Sequence, residues 1–235
     1  MNNTLVYALV FACIMLLYFF LAYLTHFHAI ESKKRIHERL IIRSCQNNMQ
    51  RIASALEAYR NHHGDLPPAY STDEQGNPLH SWRVLILPYF EDQNILDLYN
   101  EIRLDEPWDS EWNSQFHERA PNIFICILST TFKYDEENGY YSPRNVHYYM
   151  LIDENGKLLP DCGILFAERV KAVSHWMDPN HEIRLTDIKD GINSNPGGIT
   201  SVHEINKHFG LFGQHEKGAN ICTFDFEVKW VPETK

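Results

Sequence analysis

The chain has 235 residues, 44% hydrophobic and 13% aromatic, enough for one globular domain with its own core. Its formal net charge of −10 argues against nucleic acid as a partner, because binding a polyanion takes a basic face that displaces counterions. The five Cys stand too far apart for a CxxC zinc or redox pattern.

From Leu5 to Leu24 the chain runs for twenty residues without a charge. As a helix, such a run is about 30 Å long, the thickness of a bilayer's hydrocarbon core. A cleavable signal would show a basic start, a shorter apolar run and a small-residue cleavage site. Here the bulky, polar THFHAIESKK follows instead. Residues 1–29 are therefore expected to be an uncleaved single-pass anchor, with the lipid bilayer as partner through residues 5–24. Lys33, Lys34, Arg35, Arg39 and Arg43 follow the span, and by the positive-inside rule they favour a cytoplasmic C-terminal domain.

Beyond the span, Ile36, Leu40, Cys45, Met49, Ile52, Leu56 and Tyr59 recur at steps of mostly three and four. That period marks one apolar face of a helix over residues 30–63. Gly64 and Pro67–Pro68 stop it, and no breaker separates it from the span, so one continuous helix is predicted. Residues 64–235 then read as a sheet-rich head. Turn signals at Gln75–Pro78, Glu137–Gly139, Glu154–Gly156 and Asn195–Gly198 punctuate it. Strand-like runs cover 122–128, 146–153, 163–168 and 219–231. Residues 86–102 read as helical, with Leu87, Phe90, Ile95, Leu98 and Ile102 in phase after Pro88. A long N-terminal helix followed by a mainly antiparallel sheet gives an α+β fold, with residues 30–235 as one domain.

Several blocks carry a resemblance. They are Cys45-Gln-Asn-Asn-Met-Gln-Arg-Ile52, Ala55-Leu-Glu-Ala-Tyr59 and Gly64-Asp-Leu-Pro-Pro68, then His80-Ser-Trp-Arg-Val-Leu-Ile-Leu-Pro-Tyr89 and Asp105-Glu-Pro-Trp-Asp109. Thr186-Asp-Ile-Lys-Asp-Gly191 with Asn193–Asn195 follows, and then His215 with Asp225 ten positions on. Together they are similar to a bacterial pilin-like family of unknown function. That family has a prepilin-type N-terminal helix and a C-terminal H-x9-D-G motif, and it has also been likened to solute-binding proteins. The resemblance implies a pilin-like spine and head, with Trp82, Arg83, Pro88, Trp108, Asp109, Asp190, Gly191, His215 and Asp225 as its structural motif. It also places Cys45 and Cys126 in family-matching positions. An oxidising exterior would permit a bridge between them, and a cytoplasmic domain would keep them reduced.

The chain departs from the pattern in three places. MNNTLVYALVFAC has neither a Gly cleavage site nor an intramembrane Glu, which favours a standalone anchored member over a polymerising one. Cys126 is followed by Ile127 rather than Pro. Phe226 stands where the motif ends in Gly, so the hairpin there is expected to change turn type or take a bulge.

Within His80–Gln93, Trp82 and Val84–Leu87 read as a corner packed on the long helix, and Arg83 is expected to pair with Asp105, Glu106 or Asp109. Thirteen His raise the question of a metal. His203, His208 and His215 are spaced five and seven apart, unlike the i, i+4 pair with an intervening Glu of zincins. Three His from separate loops could converge on a metal, but surface or turn His, with His215 holding its hairpin, is the simpler reading. Asp187, Asp190 and Asn193 could cage a cation, although an Asx-rich turn needs none. No nucleophile elbow, Walker loop or dinucleotide fingerprint is present. Trp108, Trp112, Tyr140, Tyr141 and Trp176 would suit stacking on sugars, and core packing explains each equally well.

The expected protein is thus a non-catalytic, pilin-like chain of the bacterial cytoplasmic membrane that needs no cofactor. Its role is structural or binding, with envelope or secretion-assembly proteins as partners. The rivals are an extracytoplasmic ligand-capture module and a cation-dependent hydrolase. The C-terminal domain is expected outside, because long translocated domains can override flanking charge.

Overall fold

The computed structural model describes residues 3–126, 134–135, 140–141, 146–169, 175–188, 191–192, 198–201, 204–206 and 215–233. The chain divides into two compact units, Met1–Leu40 and Ile41–Lys235.

One helix, α1, runs from Asn3 to His63, over a stretch that holds neither Gly nor Pro. In the first unit the side chains of Phe11, Leu16, Leu17, Phe19, Phe20 and Leu21 are exposed. Val10–Lys33 is long and apolar enough to cross a membrane. Ile36 and Leu40, expected on the packed face, are 59% and 57% exposed. The buried stripe begins instead in the second unit, at Ile42, and continues through Cys45, Met49, Ile52 and Leu56. The helix ends where Gly64 turns left-handed (φ 84°) and donates its N–H to Arg60 O at 2.8 Å, a C-cap that suits a residue without Cβ.

Among the described residues ten strands follow: β1 Tyr70–Thr72, β2 Pro78–Ser81, β3 Tyr134–Asp135, β4 Tyr140–Tyr141, β5 Tyr148–Ile152, β6 Ile164–Glu168, β7 Ile183–Arg184, β8 Glu204–Asn206, β9 His215–Thr223 and β10 Val228–Pro232. The main sheet has the order β10-β9-β6-β5-β7, with β8 also paired to β9. Every pair in it is antiparallel except β5–β7. β1–β2 and β3–β4 are separate ribbons. Strand β5 is buried at all five positions, as expected of a central strand covered on both faces. Gly218 in β9 is required by close approach: a Cβ there would lie 2.3 Å from Val231 O and 2.6 Å from the Trp230 ring.

The expected helix over 86–102 is broken in two, and a further short helix precedes it. Helix α2 spans Trp82–Leu85, a 3-10 turn carries Pro88 over Leu87–Tyr89, and α3 spans Gln93–Glu101. The break has a local cause, since the Asp92 carboxylate accepts the N–H of Asn94 at 3.0 Å and caps α3 there. Ile95, Leu98 and Ile102 still face the core. The strand expected from residue 122 is also corrected. Pro121, at φ −61°, leads into a 3-10 turn over Asn122–Phe124, and 127–128 lie outside the described residues.

The β9–β10 hairpin keeps the left-handed residue its turn needs. Phe226 itself sits at φ 60°, with Phe226 N donating to Thr223 O and Thr223 N to Glu227 O, both at 3.0 Å. The pairing from Val228↔Cys222 to Pro232↔Gly218 is regular, and the two turn bonds around a left-handed Phe226 are those of a three-residue loop closed by a G1-type bulge, the second of the two expected outcomes. A bulky residue at positive φ is costly, and packing offsets that cost here. The Phe226 ring is buried with the Arg60 guanidinium 4.4 Å from its centroid.

Candidate functional site

Helix α2 carries Arg83 into the centre of the domain. Its position follows from backbone bonds: Ser81 N donates to Met177 O at 3.0 Å and Trp82 N to Ala69 O at 2.9 Å. The Arg83 guanidinium, fully buried, meets the equally buried Glu182 carboxylate at 2.9 Å. Its Nε and Nη2 donate to Tyr148 O at 3.2 and 2.6 Å. The other Glu182 oxygen accepts from Met150 N at 2.6 Å. Arg83 also lies over the Trp82 and Tyr149 rings, 4.9 and 4.7 Å from their centroids. Arg169 covers Tyr149 at 3.8 Å and donates to the backbone carbonyls of Glu182 and His181. A buried charge is tolerated when it is paired and its donors are used, and Arg83 meets both conditions.

Asp105, Glu106 and Asp109 are therefore not the partners of Arg83. Asp105 and Asp109 are exposed, and Glu106 pairs with Arg103 at 2.8 Å. The acid that serves Arg83 stands 99 positions away in sequence. Local spacing cannot reveal a pairing of that range.

A second cluster lies where the buried stripe of α1 meets β5, β6 and β9. The Cys45 and Cys126 sulfurs are 2.9 Å apart, both fully buried. With the Glu168 carboxylate they form a group whose ligand atoms lie within 4.8 Å of one another, and this set could hold a metal. Glu168 accepts from Asn220 N at 2.8 Å and Asn220 Nδ2 at 3.0 Å, while Gln46 on α1 donates to Asn220 Oδ1 at 3.0 Å. Burial, helped by neighbouring Cys45 and Cys126, pushes the Tyr148 hydroxyl well above the usual phenol range. His147 Nδ1 accepts the N–H of Cys126 at 3.0 Å, and burial pushes its pKa down to about 4. Nδ1 is therefore the unprotonated nitrogen, and the ring is neutral. Burial pushes the Cys222 thiol up to about 12.

The aromatic residues expected at a sugar surface do not share one face. Trp176 is fully buried, its indole N–H donating to Phe116 O at 3.1 Å, so it belongs to the core. Trp108 is half-buried and stacked on His117, ring centroids 5.1 Å apart. Trp112 is 41% exposed, with the Arg103 guanidinium 4.0 Å over its ring and its N–H on Glu101 O. Tyr140 and Tyr141 form β4, and their side chains lie outside the described residues.

The cation candidates are only partly described. His203, His208, Asp190 and Asn193 lie outside the described residues. His215 is placed by its backbone alone, opposite Asn206 in the β8–β9 pair. Asp187 accepts from Arg184 N at 3.2 Å within the 3-10 turn Leu185–Ile188. Gly191 takes φ 91°, and Asp225 is exposed in the β9–β10 turn. Of the structural motif, Trp82 is fully buried, edge-on to Phe124 at 6.1 Å.

The sequence reading missed Glu168, Glu182, His147, Arg169 and Asn220. A signal was present for two of them. Glu168 ends the apolar run GILFAE, and His147 lies within VHYYMLID; a lone polar group in a buried strand needs a partner.

Residues 43–196 match the model of a family described as a protein of unknown function (DUF1559), which also bears a solute-binding-like short name. The chain belongs to the DUF1559 family. No curated protein and no solved structure matches it. Both buried clusters of this DUF1559 chain fall in the matched span except Asn220, which comes from β9 beyond it. Family and apolar helix together fit a membrane-anchored envelope protein of unknown function.

Proposed function

We propose that this DUF1559 chain is a pilin-like, non-catalytic membrane protein whose head has a structural or binding role on the outer side of the cytoplasmic membrane. The observation that carries the reading is the division of labour along α1. Its exposed apolar stretch Val10–Lys33 suits a bilayer. Residues Ile42–Leu56 of the same helix bury a stripe within the α+β domain. A helix serving as both anchor and core element is the pilin-like design. The internal charges support a framework role, since the Arg83–Glu182 pair is sealed from solvent and joins α2 to the approach of β7.

Protease treatment of cells with only the outer barrier opened tests the orientation, using the full chain with a C-terminal tag. The tag should be digested while a cytoplasmic control survives. Survival of the tag alongside digestion of an exported control would place the head inside and overturn the reading.

A further inference from the structure

We infer that Cys45 and Cys126 are joined as a disulfide in the mature protein, fixing the buried part of α1 to the strand-flanking segment after Asn122–Phe124. The inference goes beyond the pilin-like reading and rests on one part of it, the head's place on the outer side of the membrane, which the protease experiment tests separately. It rests on geometry. The two sulfurs are 2.9 Å apart, well inside the contact distance of unbonded sulfur atoms, so only a small approach separates them from a covalent bond. A shared tetrahedral metal would instead hold two thiolates about 3.8 Å apart, given metal–sulfur bonds of about 2.3 Å.

The other described thiols are directed differently. Cys162 Sγ donates to Ile164 O at 3.4 Å and Cys222 Sγ to Thr223 O at 3.5 Å, while Cys13 is exposed on the apolar stretch. Among these five, Cys45 and Cys126 make the pair.

The bond forms by exchange with a protein disulfide of an exported thiol-oxidising system. One cysteine thiolate attacks that disulfide, giving a mixed disulfide and releasing one thiol of the oxidant. The second cysteine attacks the mixed disulfide, closing Cys45–Cys126 and releasing the second thiol. Two thiols are oxidised and one disulfide is reduced, and the two protons end on the oxidant's sulfurs. Because both sulfurs are fully buried in the finished fold, the exchange precedes closure of the core. Such a bond persists where the compartment is oxidising, so it also reports the side on which the domain folds.

The test is a two-step alkylation of the full chain from native membranes, acid-quenched. Iodoacetamide in denaturant labels thiols, and after reduction N-ethylmaleimide labels what had been bridged; peptide mass spectrometry reads each site. Cys45 and Cys126 should carry the second label, with Cys13, Cys162 and Cys222 carrying the first. A reductant should also lower the melting midpoint of the purified chain by about 10 °C. It should leave the Cys45→Ala/Cys126→Ala double variant unmoved. First-label modification of Cys45 and Cys126 overturns the inference, as does a bridge at any other pair. Stoichiometric zinc released on thiol alkylation overturns it as well, in favour of a metal site.

Discussion

His147 shows how one buried side chain makes the fold sensitive to acid. Its Nδ1 accepts the Cys126 N–H, which a protonated ring cannot do, and burial depresses its pKa from 6.5 to about 4. A depressed base takes up protons more readily in the unfolded chain, so its contribution is complete above pH 6.5 and is lost as pH falls toward 4. The shift corresponds to about 3 kcal/mol. Urea unfolding of residues 41–235 at about pH 7.5 and about pH 4.5 should show a loss of that order attributable to this group. In His147→Asn, whose amide oxygen takes the place of Nδ1 and can still accept from Cys126 N, most of that pH dependence should vanish. Equal pH dependence in both proteins would remove His147 as its source. Phe226 shows the same priority of packing over local preference, holding φ 60° because its ring is buried under Arg60.

Among the elements, those governed by short-range pattern were legible. The end of α1 follows from Gly64, and β5 and β6 follow from apolar runs between turn residues, whereas the single run expected over 219–231 folds as the β9–β10 hairpin, turning between Thr223 and Val228. The misread elements are those where a single residue competes with a pattern. Asp92 begins α3 by capping it, and Pro121 bends 122–124 into a 3-10 turn. The pairing of α2 with the sheet was illegible, since Arg83 and Glu182 are brought together only by the finished topology. Removing one partner leaves an uncompensated buried charge, so Arg83→Met and Glu182→Gln should each cost about 3–5 kcal/mol in urea titrations. The double variant Arg83→Met/Glu182→Gln should cost clearly less than the sum of the single losses. Additive losses would show that the two charges do not depend on each other.

At the scale of the whole chain, the two compact units predict separable behaviour. Met1–Leu40 holds the exposed apolar stretch and Ile41–Lys235 holds the buried core. A chain lacking residues 1–40 should leave the membrane fraction for the soluble one. It should melt within a few degrees of the full chain, read by circular dichroism, since 1 kcal/mol moves the midpoint of a domain this size by about 2–4 °C. A large drop in melting temperature would show that the first unit supports the fold of the second.

By itself, the sequence determined the features that depend on near neighbours. These are an apolar run of membrane length, the phase of the buried stripe from Cys45 to Leu56, the α+β order of elements and the turn residues between them. Each is set by periodicity or by one residue's backbone preference, and both are local. Tertiary structure alone decided which acid serves Arg83, that Trp176 lies in the core, and that Glu168 stands beside Cys45 and Cys126 in the interior. Those outcomes depend on which distant segments the sheet brings side by side. The need to pair every buried charge and fill the core fixes them, and no window of neighbouring residues contains that constraint.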